Sequence, residues 1–81
     1  MERNVVFSTI KEYLKSKMEE QYEIADDVIL TNIGITSAEF VLLLVFVEDE
    51  FDITFEDEDL LMPTDITVGE LVDRIVNLSN N

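Results

Sequence analysis

The residues with the clearest chemical potential lie in the segment GITSAEF, residues 34–40, near the middle of the 81-residue chain. Thr36 and Glu39 have the spacing of a capping box, in which each side chain accepts a hydrogen bond from a backbone amide at a helix start. Ser37 then occupies the first helical position, where its hydroxyl is not needed for the cap and should face solvent. Unpaired amides and the positive end of the helix dipole favour a phosphate there. Ser37 is therefore either an ordinary helix residue or a modification site.

The sequence excludes most other chemistry. It contains no histidine and no cysteine, so the commonest general base, disulfides and thiolate metal ligands are all missing. Residues 49–54 begin like a calcium-binding EF-hand loop, but Thr54 stands where that loop needs glycine. Phe51 and Ile53 in this segment also have the spacing of packing residues. We therefore expect no catalytic residue, no dedicated metal site and no enzymatic activity.

The distribution of charge predicts the kind of partner. Nineteen acidic and five basic residues give a net charge of −14, and every charged residue between positions 18 and 73 is acidic. Such a surface repels nucleic acid and anionic lipid but attracts proteins with basic patches. The longest apolar run, residues 40–47, is too short to cross a bilayer. We expect a cytoplasmic monomer that binds basic proteins and neither nucleic acid nor membrane.

Hydrophobic periodicity predicts the elements that position Ser37. Apolar residues at intervals of three and four indicate helices at about 4–20, 37–51 and 67–78. A second capping box, Thr67 and Glu70, opens the last of them. A short helix is predicted at 57–61, and the long first loop before residue 36 is apolar enough to lie on the core. The prediction is an all-α fold, a small four-helix bundle of three main helices and one short one, forming a single domain over 1–81.

This order of elements resembles the acyl and peptidyl carrier proteins. In that family a serine at the start of the second helix, usually in the motif Gly-x-Asp-Ser-Leu after an aliphatic residue, carries 4′-phosphopantetheine. The matching stretch here is Ile33–Ala38, and the similarity continues through Glu48–Phe51, the acidic turn 57–59 and Ile66–Leu71. The resemblance implies an acyl-carrier-like fold and covalent 4′-phosphopantetheine on Ser37.

The resemblance also implies partners and a function. A phosphopantetheinyl transferase would modify Ser37, and acyl- or aminoacyl-loading and condensing or transferring enzymes with basic patches would bind the modified chain. The expected function is a stand-alone carrier that holds a thioester-linked intermediate and shuttles it between those enzymes. The expected partner surface comprises Thr36, Glu39, Leu42, Val45, Glu48, Asp49 and Asp57.

Three positions depart from the family pattern. Thr36 stands where the family usually has aspartate, Ala38 where it has leucine, and Leu42 where glutamate is common. These departures favour a dedicated biosynthetic pathway with more apolar partner contacts, whether fatty acid, polyketide or nonribosomal peptide synthesis. The alternative is an unmodified acidic helical module that binds a basic protein, and a calcium sensor is a third hypothesis.

Overall fold

The computed structural model describes residues 2–18, 23–59 and 62–80. Over these ranges the chain forms three α-helices: α1 is Arg3–Lys17, α2 is Ser37–Phe51 and α3 is Val68–Ser79. A 3-10 helix, Leu30–Ile33, lies within the connection between α1 and α2. The described ranges contain no strand, only an isolated antiparallel bridge between Ile29 and Thr67. The all-α, acyl-carrier-like fold predicted from the sequence is confirmed.

Each helix buries one apolar stripe in a common core. The periodicity identified these stripes correctly, because helical positions three and four apart share a face. The buried members are Val6, Ile10 and Leu14 of α1; Phe40, Leu43, Leu44 and Val47 of α2; and Val68, Leu71, Val72 and Ile75 of α3. Removing such side chains from water supplies roughly 1.5–3 kcal/mol each and is the main force that assembles the helices.

The end of α1 differs from its prediction. The helix stops at Lys17, and Met18 has extended backbone angles with its amide bonded to the carbonyl of Leu14. Residues 19 and 20 of the predicted helix lie outside the described residues. None of the described helices is long and apolar enough to cross a bilayer.

The first connection is ordered by contacts with α3 as well as by its own aliphatic residues. Ile24, Leu30, Ile33 and Ile35 are buried. The amide of Val68 donates to the carbonyl of Val28 and that of Gly69 to the carbonyl of Asp26, both at 2.9 Å. A methyl group at Gly69 would lie only 3.0 Å from the Asp26 carbonyl oxygen, so the close approach requires glycine. The loop that precedes α2 is thus fixed against the start of α3.

The second connection does not form the predicted short helix in its described part. Residues 57–59 are a turn, and residues 60 and 61 lie outside the described residues. The physical reason is Asp59, which is only 8% exposed. Its carboxylate accepts hydrogen bonds from the Glu56 amide at 3.1 Å and from Arg74 Nη1 at 3.0 Å. The acidic cluster therefore closes a turn tied to α3.

Candidate functional site

The capping box predicted at the start of α2 is present. The amide of Glu39 donates to Thr36 Oγ1 at 3.2 Å, and the amide of Thr36 donates to Glu39 Oε1 at 3.1 Å. Thr36 has extended backbone angles, as an N-cap residue should. Gly34, two residues earlier, has a positive φ of 85° and ends the 3-10 helix. These local interactions fix the direction in which α2 begins.

Ser37 is the first residue of α2 and its side chain is exposed. The Ser37 hydroxyl forms no hydrogen bond with any residue that the structure describes, and the same is true of the amides of Ser37 and Ala38. The first amides of a helix have no partner inside it, and here the Thr36 side chain satisfies only the amide of Glu39. The site therefore combines a free primary hydroxyl with two free amides at the positive end of a helix.

The ionisation of Glu39 at this helix end is governed mainly by its hydrogen bonds with Thr36. The hydrogen bond from the Thr36 amide lowers the pKa of the Glu39 carboxyl below its ordinary value. The Thr36 side chain lowers it further, desolvation opposes these effects, and the charge of Lys17 makes the smallest contribution to the lowering. Glu39 is thus ionised under ordinary conditions, with its carboxylate directed at the cap. The capping interaction does not involve the hydroxyl of Ser37.

An exposed apolar stripe runs down α2 from the site. Leu42 and Val45, two residues of the expected partner surface, are 59% and 55% exposed. Val41, at 56%, belongs to the same surface and was missed, although its spacing of four from Val45 could have revealed it. Phe46, the residue after Val45, is partly covered because its ring stacks on that of Tyr13 of α1, with ring centroids 4.5 Å apart. The uncovered part of α2 is therefore an aliphatic surface.

The predicted acidic partner residues separate into two groups. Asp49 and Asp57 are exposed. Glu48 is half-buried, and its Oε2 accepts a hydrogen bond of 2.8 Å from the Phe55 amide, so it holds the segment after α2.

Ala38, Leu42, Val45 and Asp49 follow one another at intervals of three and four, which places them on one face of α2. About 18 Å of helix separates Ser37 from Asp49, from a rise of about 1.5 Å per residue.

The structure brings together only part of the predicted surface beside the serine. Thr36 and Glu39 lie at its side, Leu42 and Val45 follow along the helix, and Asp49 lies three turns away. Asp57 is in the turn beyond α2. Within residues 2–18, 23–59 and 62–80, no group of three or more acidic side chains is arranged to hold a metal ion.

Comparison with protein families gives a match to the phosphopantetheine attachment site family over residues 8–75. Comparisons with curated proteins and with solved structures find no significant match. The family match covers most of the chain and includes the start of α2, where the free hydroxyl and amides lie. The chain therefore belongs to the phosphopantetheine attachment family of carrier domains, in which 4′-phosphopantetheine is bound covalently.

Proposed function

We propose that the Ser37 hydroxyl is the attachment point for 4′-phosphopantetheine, and that the chain carries acyl or aminoacyl groups between the enzymes of a dedicated biosynthetic pathway. Domains of this family work with partner enzymes. The departures at Thr36, Ala38 and Leu42 support a dedicated pathway, because they replace polar and bulkier features of the common family pattern. The expected cytoplasmic location and monomeric state stay predictions.

The observation that carries the proposal is the environment of Ser37 compared with that of the other serines. The hydroxyl of Ser16 donates to the carbonyl of Tyr13 at 2.7 Å, and that of Ser79 donates to the carbonyl of Val76 at 2.9 Å. Ser8 is exposed but lies within α1, away from its first amides. All four serines lie in the described ranges, and among them only Ser37 is at a helix start with a hydroxyl that has no hydrogen-bond partner among the described residues.

The residues around Ser37 fit the group. A phosphodiester on Ser37 Oγ would lie beside the free amides of Ser37 and Ala38, where helix starts favour anions. In the attachment step Ser37 Oγ bonds to the phosphorus next to the pantetheine in coenzyme A. The pyrophosphate bond breaks, adenosine 3′,5′-bisphosphate leaves, and the hydroxyl proton passes to a base of the transferase. When bound, the group supplies a terminal thiol that carries an acyl group as a thioester.

The outer face of α2 is the proposed surface for partner enzymes. Leu42 and Val45 supply exposed apolar area close to Ser37, with Val41 beside them. Asp49 and Asp57 supply exposed negative charge farther away, which would attract basic patches without fixing the complex for long. Within this surface we assign Thr36 and Glu39 to holding the serine in place, and Glu48 to holding Phe55. Catalysis in this proposal belongs to the partners.

Attachment is tested by co-expressing the chain with a broad-specificity phosphopantetheinyl transferase and measuring the intact mass. We expect the wild-type chain to gain the mass of one phosphopantetheinyl group and Ser37→Ala to gain none. Ser8→Ala is the matched control, since Ser8 is also exposed on a helix and unbonded, and it should be modified like the wild type.

Two results would contradict the proposal. If several transferases leave the wild-type chain unmodified, the alternative of an unmodified acidic interaction module would replace it. If Ser37→Ala still gains the group, the attachment point lies elsewhere in the chain.

A further inference from the structure

The two arginines of the chain hold two different connections. Within the described ranges, the ion pairs all come from these two residues. Arg74 pairs with Asp59 at 3.0 Å and holds the turn after α2. Arg3, the first residue of α1, pairs with Asp73 of α3 at 2.6 Å and with Asp26 of the first connection at 3.2 Å. Arg3 therefore joins three segments of the chain at one point.

The contacts of Arg3 converge where the backbone is closely packed. Arg3 Nη2 lies 3.5 Å from the carbonyl oxygen of Gly69, whose amide donates to the Asp26 carbonyl at 2.9 Å. A Cβ atom at Gly69 would come within 3.0 Å of Asp26 and 3.2 Å of Arg3 Nη2. The guanidinium also contacts the carboxylates of both Asp26 and Asp73, and so offsets their mutual repulsion. We call Arg3 with Asp26, Asp73 and Gly69 the Arg3 clamp.

Hydrogen bonds lead from the Arg3 clamp along the first connection to α2. Residues 26–30 pair with the start of α3 and the two residues before it, through three backbone hydrogen bonds of 2.9–3.2 Å. We call this the paired segment. The amide of Ile35 then donates to the carbonyl of Leu30 at 3.2 Å, which closes the loop around the 3-10 helix. The next residue is Thr36, the cap of α2, and Ser37 follows it.

We propose that Arg3 is a positioning residue for attachment at Ser37. By holding the paired segment against α3, the Arg3 clamp fixes the path of the connection into Thr36 and thereby the orientation of the Ser37 hydroxyl. This inference rests on the proposed function. Ser37 is the first helical residue, so its orientation depends on the backbone that enters α2. A reacting group that is displaced reacts more slowly, even when the change lies far from it.

The exposure of the Arg3 clamp favours a local effect over a global one. The side chains of Arg3, Asp26 and Asp73 are 38%, 58% and 62% exposed. Ion pairs at such positions contribute little to the stability of the whole fold. They can still shift the opening of one weakly held segment, because local opening needs less free energy than global unfolding.

The first test measures amide hydrogen exchange by NMR in the unmodified chain. Arg3→Gln keeps a polar side chain but removes the charge that both carboxylates contact. We expect the amides of Leu30, Val68 and Ile35 to exchange up to about fivefold faster, the factor by which an exposed ion pair shifts an opening equilibrium. Arg3→Lys should give an intermediate change, because one ammonium group lacks the fork that contacts two carboxylates.

Arg74→Gln is the matched control, since it removes the other ion pair. It should be the more destabilising change in urea titration, because the side chain of its partner Asp59 is only 12% exposed and would lose its counter-charge. We expect faster exchange of the Asp59 and Met62 amides, which bond within that turn, and no change in the first connection.

The second test measures modification of the folded chains by a transferase. Each variant competes with the wild type in one reaction, and intact mass gives the ratio of their kcat/KM values. Separate reactions then give kcat and KM. We expect Arg3→Gln to have a roughly threefold lower kcat, within the fivefold limit for an exposed pair. Its KM should not change, because the outer face of α2 is intact. Arg74→Gln should match the wild type.

The outcomes separate the two proposals. If no transferase modifies the wild-type chain, the proposed function fails and this inference fails with it. If the wild type is modified and Arg3→Gln is modified equally fast, only the positioning role of Arg3 is overturned. Equal slowing by Arg3→Gln and Arg74→Gln would also overturn it, because general stability would then limit the transferase.

Discussion

Helices α2 and α3 begin with the same four-residue pattern, Thr-x-x-Glu, and with the same capping geometry, yet their first turns face different surroundings. In α3 the Glu70 amide donates to Thr67 Oγ1 at 3.1 Å, close to the 3.2 Å of the equivalent bond in α2. The amides that follow the cap differ. Those of Val68 and Gly69 donate to loop carbonyls at 2.9 Å, whereas those of Ser37 and Ala38 have no partner among the described residues.

A capping box thus orients the start of a helix but does not determine whether the first residues of that helix are exposed to solvent. At α3 the first connection covers the helix end, so Val68 is fully buried and its surroundings are complete. At α2 the first two residues, Ser37 and Ala38, are exposed in the described chain, and the residue in the equivalent position is therefore an exposed serine. Whether a serine at either helix start can be modified therefore depends on whether another segment of the chain covers that start.

The strongest test of this comparison moves the serine from the open helix start to the covered one. In the double variant Ser37→Ala, Val68→Ser, a serine follows the cap of an intact Thr-x-x-Glu box, but at the buried position. We expect no phosphopantetheinyl modification by intact mass. We also expect Val68→Ser to lower the free energy of unfolding by about 2–3 kcal/mol in urea titration, because it leaves a cavity and buries a hydroxyl.

Ser37→Ala alone is the matched control for stability and should change the free energy of unfolding by less than about 0.5 kcal/mol, since the site is exposed. The double variant is tested under conditions in which it is folded. If it is then modified, burial of the helix start does not explain why Ser37 can be modified and a serine at position 68 cannot.

Interactions between near neighbours could be predicted from the sequence. The two capping boxes and the buried stripes of the helices depend on residues three or four apart, so their spacing carries the information. The exposed position of Ser37 followed from the same reasoning, because the cap assigns the serine to the first helical position. The end of α1 carries no comparable signal, since Lys17 and Met18 are not followed by the glycine that often ends a helix.

Interactions between distant parts of the chain could not be predicted in the same way. Asp59 was read as part of a short helix, but its partner Arg74 lies 15 residues later and holds it in a turn. The place of Glu48 on the partner surface stays a prediction, and its hydrogen bond with the Phe55 amide, seven residues away, was not predicted. Gly69 was the one available sign of the loop's approach to α3, because a glycine inside a helix start often marks a close backbone contact.

A smaller effect is expected from removing each cap in turn. Thr36→Ala and Thr67→Ala each remove the hydroxyl that accepts a hydrogen bond from the third amide of the helix. Each substitution should lower the free energy of unfolding by about 1 kcal/mol. Thr67→Ala should cost more, because its hydroxyl also donates to Glu70 Oε1 at 3.0 Å. Only Thr36→Ala should slow modification by a transferase, since the cap at α2 orients Ser37.

Thr36→Ser, which keeps a capping hydroxyl, is the control and should leave both stability and the modification rate near those of the wild type. Equal slowing of modification by Thr36→Ala and Thr67→Ala would mean that general destabilisation, and not the local cap, limits the transferase.

The smallest effect concerns the charge on Glu39. Because its hydrogen bonds to Thr36 lower the pKa of Glu39 in the folded chain, the ionised carboxylate stabilises the fold at pH values above its ordinary pKa of 4.5. That contribution is lost as the pH falls from 4.5 through the lowered folded-state value. Urea titrations of the wild type and Glu39→Gln should therefore differ by a constant amount near neutral pH and converge in acid. The comparison of the two chains cancels the titration of the other acids. If the difference in free energy of unfolding between the wild type and Glu39→Gln does not change as the pH falls, the negative charge of Glu39 does not contribute to the cap at α2.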